Sequence, residues 1–218
     1  MADKIERMND FFAARADSYD EHMLSAVEGC REGYLEMARL VPQGCKKLLD
    51  LGCGTGLELD EIFKRLPDLS VTGIDLTREM LDKLEKKHPD KNMRLICASY
   101  FDAPLGEAEY DCAVSFQTMH HFSHEAKIGL YRKICRALKE NGVYIECDYM
   151  VETQSEEDLW YSENARIRRE MNIPPDAFYH YDTPCTVENQ ISMLREAGFG
   201  RAEKLFRVEN TTIVAAYK

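Results

Sequence analysis

Two periodicities take turns along this chain, and the points where they exchange mark its organisation. Leu48, Leu49 and Leu51 form the short apolar run of a strand covered on both faces. Leu59, Ile62, Phe63 and Leu66 then recur at helical spacing over 57–66. Val71, Gly73 and Ile74 predict a second strand ending at Asp75, and 93–98, 111–116 and 142–147 predict three more. A helix over 123–139 places Leu130, Tyr131, Ile134, Cys135 and Leu138 on one side, with Asn141-Gly142 expected to close it as a left-handed cap. Strand and helix alternate from 46 to 149, which predicts a doubly wound α/β fold with a mostly parallel sheet.

The flanks read differently. Ile5, Met8, Phe11 and Phe12 form one apolar helical face, and Leu24, Val27, Tyr34, Met37 and Leu40 another, predicting helices laid over the sheet. Residues 150–185 break the alternation. Ser155 with Asp158 resembles a capping box, Trp160, Asn164, Ile167 and Met171 repeat along one face, and Pro174-Pro175 is expected to stop the helix. Such a segment is too long for a plain connection, and is read either as a lid or as edge packing. A helix over 186–197 and two strands, 202–208 and 211–217, joined tightly at Glu209-Asn210, finish the chain as a hairpin. The expectation is one domain over 1–218: a helical cap (1–44), a core (45–149), an insertion (150–185) and a C-terminal helix and hairpin (186–218).

Gly52, Gly54 and Gly56 join the first strand to its helix in a turn that a Cβ would obstruct. A crevice for a nucleotide-type cofactor is expected there, at the carboxyl end of a parallel strand. The spacing is G-x-G-x-G, with Leu57 where a dinucleotide site carries its third glycine. Asp50, just before the turn, can point a carboxylate at a cationic group. A cofactor with an amino group and a sulfonium fits these residues better than one with a pyrophosphate. Asp75, some twenty residues on, suits the hydroxyls of a ribose.

Composition narrows the partner. The 218 residues carry a formal net charge of −11 with only short basic clusters, so a nucleic-acid substrate is not favoured and a small molecule is. Eight cysteines include no C-x-x-C, and several lie in apolar runs. With a charged N-terminus and no apolar run of spanning length, the chain is read as cytoplasmic, reduced and not membrane-bound. The oligomeric state stays open.

The motifs LLDLGCGTG (48–56), TGIDLTREML (72–81), AEYDCAVSFQTMHHF (108–122) and LYRKICRALKENGVYI (130–145) resemble those of the class I S-adenosylmethionine-dependent methyltransferases, notably the ubiquinone/menaquinone type. RLICASYFDAP (94–104) and TVENQISMLREAGF (186–199) are similar to a subgroup that includes carboxy-S-adenosylmethionine synthase. The resemblance implies a seven-stranded Rossmann-like sheet and S-adenosyl-L-methionine as cofactor. It implies that Asp50, Gly52, Gly54, Gly56, Asp75 and Leu76 bind it, with Ser99 standing where relatives carry an adenine-binding Asp. Tyr100 and Phe101 are candidates to enclose the adenine; Met80 either packs on it or belongs to the core. The backbone of Phe116 and Gln117 is expected beside the methionine portion. The segment from Phe12 to Asp20 resembles the family's F-x-x-x-A-x-x-Y-D, whose tyrosine, here Tyr19, closes over the cofactor.

Methyl transfer asks the protein mainly to align groups and exclude water, so the acceptor side leaves a fainter trace. His121 is the candidate catalytic residue, and Asp148, Tyr149 and Tyr179 are candidates to line the acceptor side. His120, His121 and His124 form H-H-x-x-H, but no carboxylate cluster accompanies them in sequence, and no metal is expected. Three function classes remain: a small-molecule methyltransferase, a carboxy-S-adenosylmethionine-type enzyme using a cationic pocket from Arg166, Arg168 and Arg169, and a non-catalytic S-adenosylmethionine-binding module.

Overall fold

The structure, a computed structural model, describes residues 5–174 and 177–218. Seven strands lie in the order β3-β2-β1-β4-β5-β8-β7. Strands β1 (Lys47–Leu51), β2 (Ser70–Asp75), β3 (Met93–Cys97), β4 (Tyr110–Phe116) and β5 (Leu138–Val151) run parallel. The hairpin of β7 (Arg201–Val208) and β8 (Thr211–Tyr217) adds antiparallel to β5, turning at Glu209 and Asn210 with Glu209 at φ 49°. A two-residue strand β6 (Cys185–Thr186) pairs with the end of β5.

Strand alternation explains the apolar runs, because both faces are covered. Leu49, Leu51, Ala113 and Tyr144 face α6 (His124–Ala137) and α8 (Val187–Glu196), meeting Ile134 and Leu194. Leu48, Cys112, Val114 and Ile145 face α3 (Cys30–Leu40) and α4 (Leu57–Arg65), meeting Met37 and Ile62. Asp50, between Leu49 and Leu51, therefore points to the α3/α4 side, towards Glu58.

Several boundaries move. The apolar face expected over Leu24–Leu40 is split between α2 (Tyr19–Ser25) and α3 by Gly29 at φ 76°, where a Cβ would lie 2.7 Å from the Val208 carbonyl. Helix α3 thus joins the sheet's packing, while α1 (Met8–Arg15) and α2 lie across the strand ends. Helix α6 stops at Ala137, and Asn141 at φ 63° turns the chain inside β5 rather than capping that helix. The capping box of α7 (Gln154–Glu170) is Thr153 with Glu156, not Ser155 with Asp158, because Thr153 holds the extended backbone that a cap requires. That helix ends at Glu170, with Asn172 at φ 52°, ahead of Pro174; Pro175 lies outside the described residues. Among the described residues no helix is long and apolar enough to cross a membrane.

Candidate functional site

The glycine turn is laced to the end of β2. The amides of Gly52 and Cys53 donate to the Ile74 carbonyl at 2.8 and 3.2 Å, and the amide of Gly54 donates to Asp75 Oδ2 at 2.9 Å. Asp75 Oδ1 accepts from the Thr77 amide at 2.8 Å. Burial raises the Asp75 pKa, opposed by these amides. The carboxylate thus fixes the turn while keeping further lone pairs for hydroxyl donors. A Cβ at Gly52 would strike Thr118 at 2.7 Å and one at Gly56 would run into Leu84. One at Gly54, where φ is 45°, would make only loose contacts, with the Tyr19 ring at 3.9 Å and the Gly52 carbonyl at 4.0 Å. Space for a ligand therefore opens over Gly54, roofed by Tyr19 from α2.

Beneath the turn, Asp50 is fully buried and neither of its oxygens has a donor; Glu58 Oε1 is in the same state. A proton shared between these two carboxyls is the hydrogen bond open to them. Burial pushes the Asp50 pKa up to about 7, and burial with the Asp50 charge lifts Glu58 well above the usual range. Orphaned buried carboxyls beside an open backbone cradle fit a ligand that carries an ammonium group.

On the adenine side expected from sequence, Leu76 and Ser99 are half-buried and Met80 is buried on α5 (Arg78–Lys87). Ser99 Oγ accepts from the Phe101 amide at 3.2 Å. Tyr100 is buried with its hydroxyl 3.0 Å from Thr118 Oγ1, and Phe101 packs against Phe122 and Phe178. The two aromatics therefore form part of one apolar cluster. Phe116 is also buried, its ring stacked 3.8 Å from Tyr34, while Gln117 turns out at φ 49° and donates to Thr211 Oγ1 at 3.3 Å.

Past Tyr19, a cleft of about 1010 Å³ opens below α1 and α2, walled by Phe12, Tyr19, His121, Tyr149, His180 and Asp182 among others. Phe11 stacks on His180 at 3.5 Å. Tyr149 lines this cleft as expected from its strand end, but two other sequence candidates do not. Tyr179 bridges to Arg7 and lines a separate cavity of about 190 Å³. Asp148 is buried behind His120, bonding its Nδ1 and accepting from the amides of Met119 and Tyr149, both at 2.8 Å.

The histidine motif divides. His124 leaves the site and pairs with Glu157 on α7 at 2.8 Å. His120 and His121 stay, joined by His180 and Asp182 from the 177–186 segment. Asp182 Oδ1 is 3.5 Å from both His120 Nε2 and His121 Nδ1. The carboxylates missing from the local sequence are thus supplied by Asp148 and Asp182, which topology brings in from afar. Burial alone would lower the His120 pKa, but Asp148 and Asp182 lift it to about 10. Burial and the charge of His120 push His121 well below its ordinary value. These directions favour a charged His120 and a neutral His121, whose Nδ1 lies 3.3 Å from the Tyr181 carbonyl.

Among the described residues Arg166, Arg168 and Arg169 do not converge on the cleft. Arg166 pairs with Glu163 and Glu170 along α7, Arg168 donates to the Pro174 and Ala177 carbonyls, and Arg169 to the Ala165 carbonyl. The guanidinium that lines the cleft is Arg15, 3.1 Å from Glu6.

Residues 48–142 match the family model described as a methyltransferase domain. A malonyl-[acyl-carrier protein] O-methyltransferase of Acetivibrio thermocellus is 27% identical over 79% of this chain, which spans 59% of that protein's length. A carboxy-S-adenosyl-L-methionine synthase of Campylobacter lari is 24% identical over 98% of this chain and 96% of its own. Among solved structures, a DhpI–SAH complex has the same fold, with a TM-score of 0.71 at 16% identity over 96% of this chain and 93% of that one. Residues 48–142 thus carry a methyltransferase domain, and the relatives and the fold support a class I S-adenosylmethionine-dependent methyltransferase with S-adenosyl-L-methionine as cofactor.

Proposed function

We propose that the protein transfers the methyl group of S-adenosyl-L-methionine to a small-molecule acceptor held in the cleft below α1 and α2. The observation that carries this is the cleft itself. It has aromatic and histidine walls at the carboxyl ends of β4 and β5, and Tyr19 borders both it and the Gly54 cradle. The O-methyltransferase relative from Acetivibrio supports the reaction class.

The residues divide into two groups. Gly52, Gly54 and Gly56 shape the cradle, Asp50 with Glu58 meets the ammonium, and Asp75 takes the ribose hydroxyls. Leu76, Met80, Ser99 and Phe101 border the adenine, and the Phe116–Gln117 backbone lies at the methionine end. Bound there, the cofactor supplies a sulfonium methyl that needs no further activation. On the acceptor side, Tyr149 and His180 orient the molecule, Phe11 and Phe12 exclude water, and neutral His121 can receive a proton from a hydroxyl or amine.

Incubation with methyl-labelled cofactor and a metabolite pool should move label into a small molecule, with S-adenosylhomocysteine as co-product. Label retained on the cofactor would refute the reading. Mass spectrometry showing a carboxylated cofactor instead would transfer the function to the class of the Campylobacter relative.

A further inference from the structure

We propose that His120 Nε2, His121 Nδ1 and Asp182 Oδ1 form a three-ligand site for one divalent first-row transition ion of the zinc type. The proposal goes beyond methyl transfer and stands apart from it, because an ion can be bound and measured without any acceptor.

Separation of the ligand atoms is the first argument. Asp182 Oδ1 lies 3.5 Å from each histidine nitrogen, and all three atoms fall within 4.8 Å of one another. At 3.5 Å a hydrogen bond contributes little. Two ligands of a tetrahedral ion with bonds of about 2.0–2.1 Å stand roughly 3.4 Å apart, so the observed spacing is that of co-ligands. Asp182 Oδ1 is moreover buried without a hydrogen-bond partner. In the ion-free protein a proton on His120 balances this carboxylate; a divalent ion would displace that proton and engage all three atoms at once.

The surroundings give the second argument. His120 presents Nε2 because Asp148 holds its Nδ1, and Asp148 is itself fixed by two backbone amides. A carboxylate behind a ligating histidine sets its tautomer and orientation in metal sites. The strand of chain that carries Asp182 is clamped in register, since the amide and hydroxyl of Thr183 both donate to the His120 carbonyl, at 2.6 and 2.9 Å. The competing use of His121 Nδ1 is its 3.3 Å bond to the Tyr181 carbonyl, which an ion displaces at small cost. His120, His121 and Asp182 all line the 1010 Å³ cleft, giving an entry path and a fourth position open to water or an acceptor oxygen. Two imidazoles and one carboxylate favour zinc, cobalt, iron or manganese over magnesium or calcium, which take oxygen ligands.

The test uses tag-free, chelator-stripped protein titrated with cobalt(II), whose visible absorption reports its ligands, and then with zinc in competition. One ion per chain is expected. His121→Ala and Asp182→Asn should each weaken it by more than Asp148→Asn, whose loss is expected at about 10–100-fold. His124→Ala should leave binding as it is. S-adenosylhomocysteine affinity, measured on the same samples, reports the fold of each variant and keeps a failure of the ion site distinct from a failure of the cofactor crevice. A stoichiometry of zero in the wild-type protein overturns the proposal. Binding that survives both His121→Ala and Asp182→Asn in folded protein does so too.

Discussion

Gly54 and Asp50 are the single positions at which the proposed cofactor crevice can be tested most directly, one leaving open space and the other an unpartnered buried carboxyl. A Cβ at Gly52 or Gly56 meets neighbouring side chains, so substitution there strains the fold, whereas at Gly54 the space is open. Gly54→Val should therefore abolish S-adenosylhomocysteine binding in calorimetry. The fold should survive with a loss of roughly 1–3 kcal/mol from backbone strain at φ 45°. Asp50 gives a pH test. Its folded pKa, about 7, lies above the ordinary aspartate value of about 3.9, so the folded chain keeps a proton that the unfolded chain sheds. This group's share of stability is thus fully present at low pH and falls as pH rises from about 4 to 7. The cofactor's ammonium requires the ionised form, so affinity should move the other way, rising between about pH 5 and 8 with release of a proton. Calorimetry in buffers of different ionisation enthalpy would detect that proton. A pH-independent affinity, or no proton released, would place the ammonium elsewhere.

At the scale of elements, α1 and α2 are held over the site by polar straps as much as by apolar contact. Lys87 of α5 reaches Asp20 at 3.0 Å and Asp60 at 3.1 Å, Lys83 reaches Asp17 at 2.7 Å, and Thr55 bonds Asp20. Ion pairs this accessible are individually weak. Lys87→Met should cost about 1 kcal/mol or less, expressed as faster hydrogen exchange across 8–25 while the sheet amides stay protected. Uniform acceleration would mean that α2 opens only with the whole domain. The N-terminal helices α1 to α3 were legible as apolar faces through Met8, Phe12, Leu24, Tyr34 and Met37, but the division between α2 and α3 was not. The break at Gly29 depends on the distant Val208 backbone, which leaves no periodic trace. The same holds for α6, whose end is set by Leu138 entering the sheet, although Asn141-Gly142 carries the stronger local stop signal.

Across the whole molecule, the two halves of the site differ in how chain and space relate. The proposed cofactor half is one strand-turn-helix-strand between Lys47 and Asp75 plus the chain that follows, so the turn that joins its strand to its helix was readable from local spacing. The acceptor half is assembled from α1, α2, the end of β4, Tyr149, the 180–182 segment and the β7–β8 turn. Nothing in H-H-x-x-H foretells that His124 turns away to Glu157 while Asp182, some sixty residues on, comes to lie against His120 and His121. This partition predicts separable responses. S-adenosylhomocysteine at about a hundred times its Kd should add roughly 2.7 kcal/mol, a rise of about 5–10 °C in Tm for a chain of this size. Phe12→Ala and Tyr149→Phe alter only the acceptor walls, so each should keep that rise and its Kd while slowing transfer once an acceptor is in hand. Gly54→Val should lose the rise altogether. If Phe12→Ala instead removed the thermal shift, cofactor and acceptor would share a single compartment, with Tyr19 no partition between them.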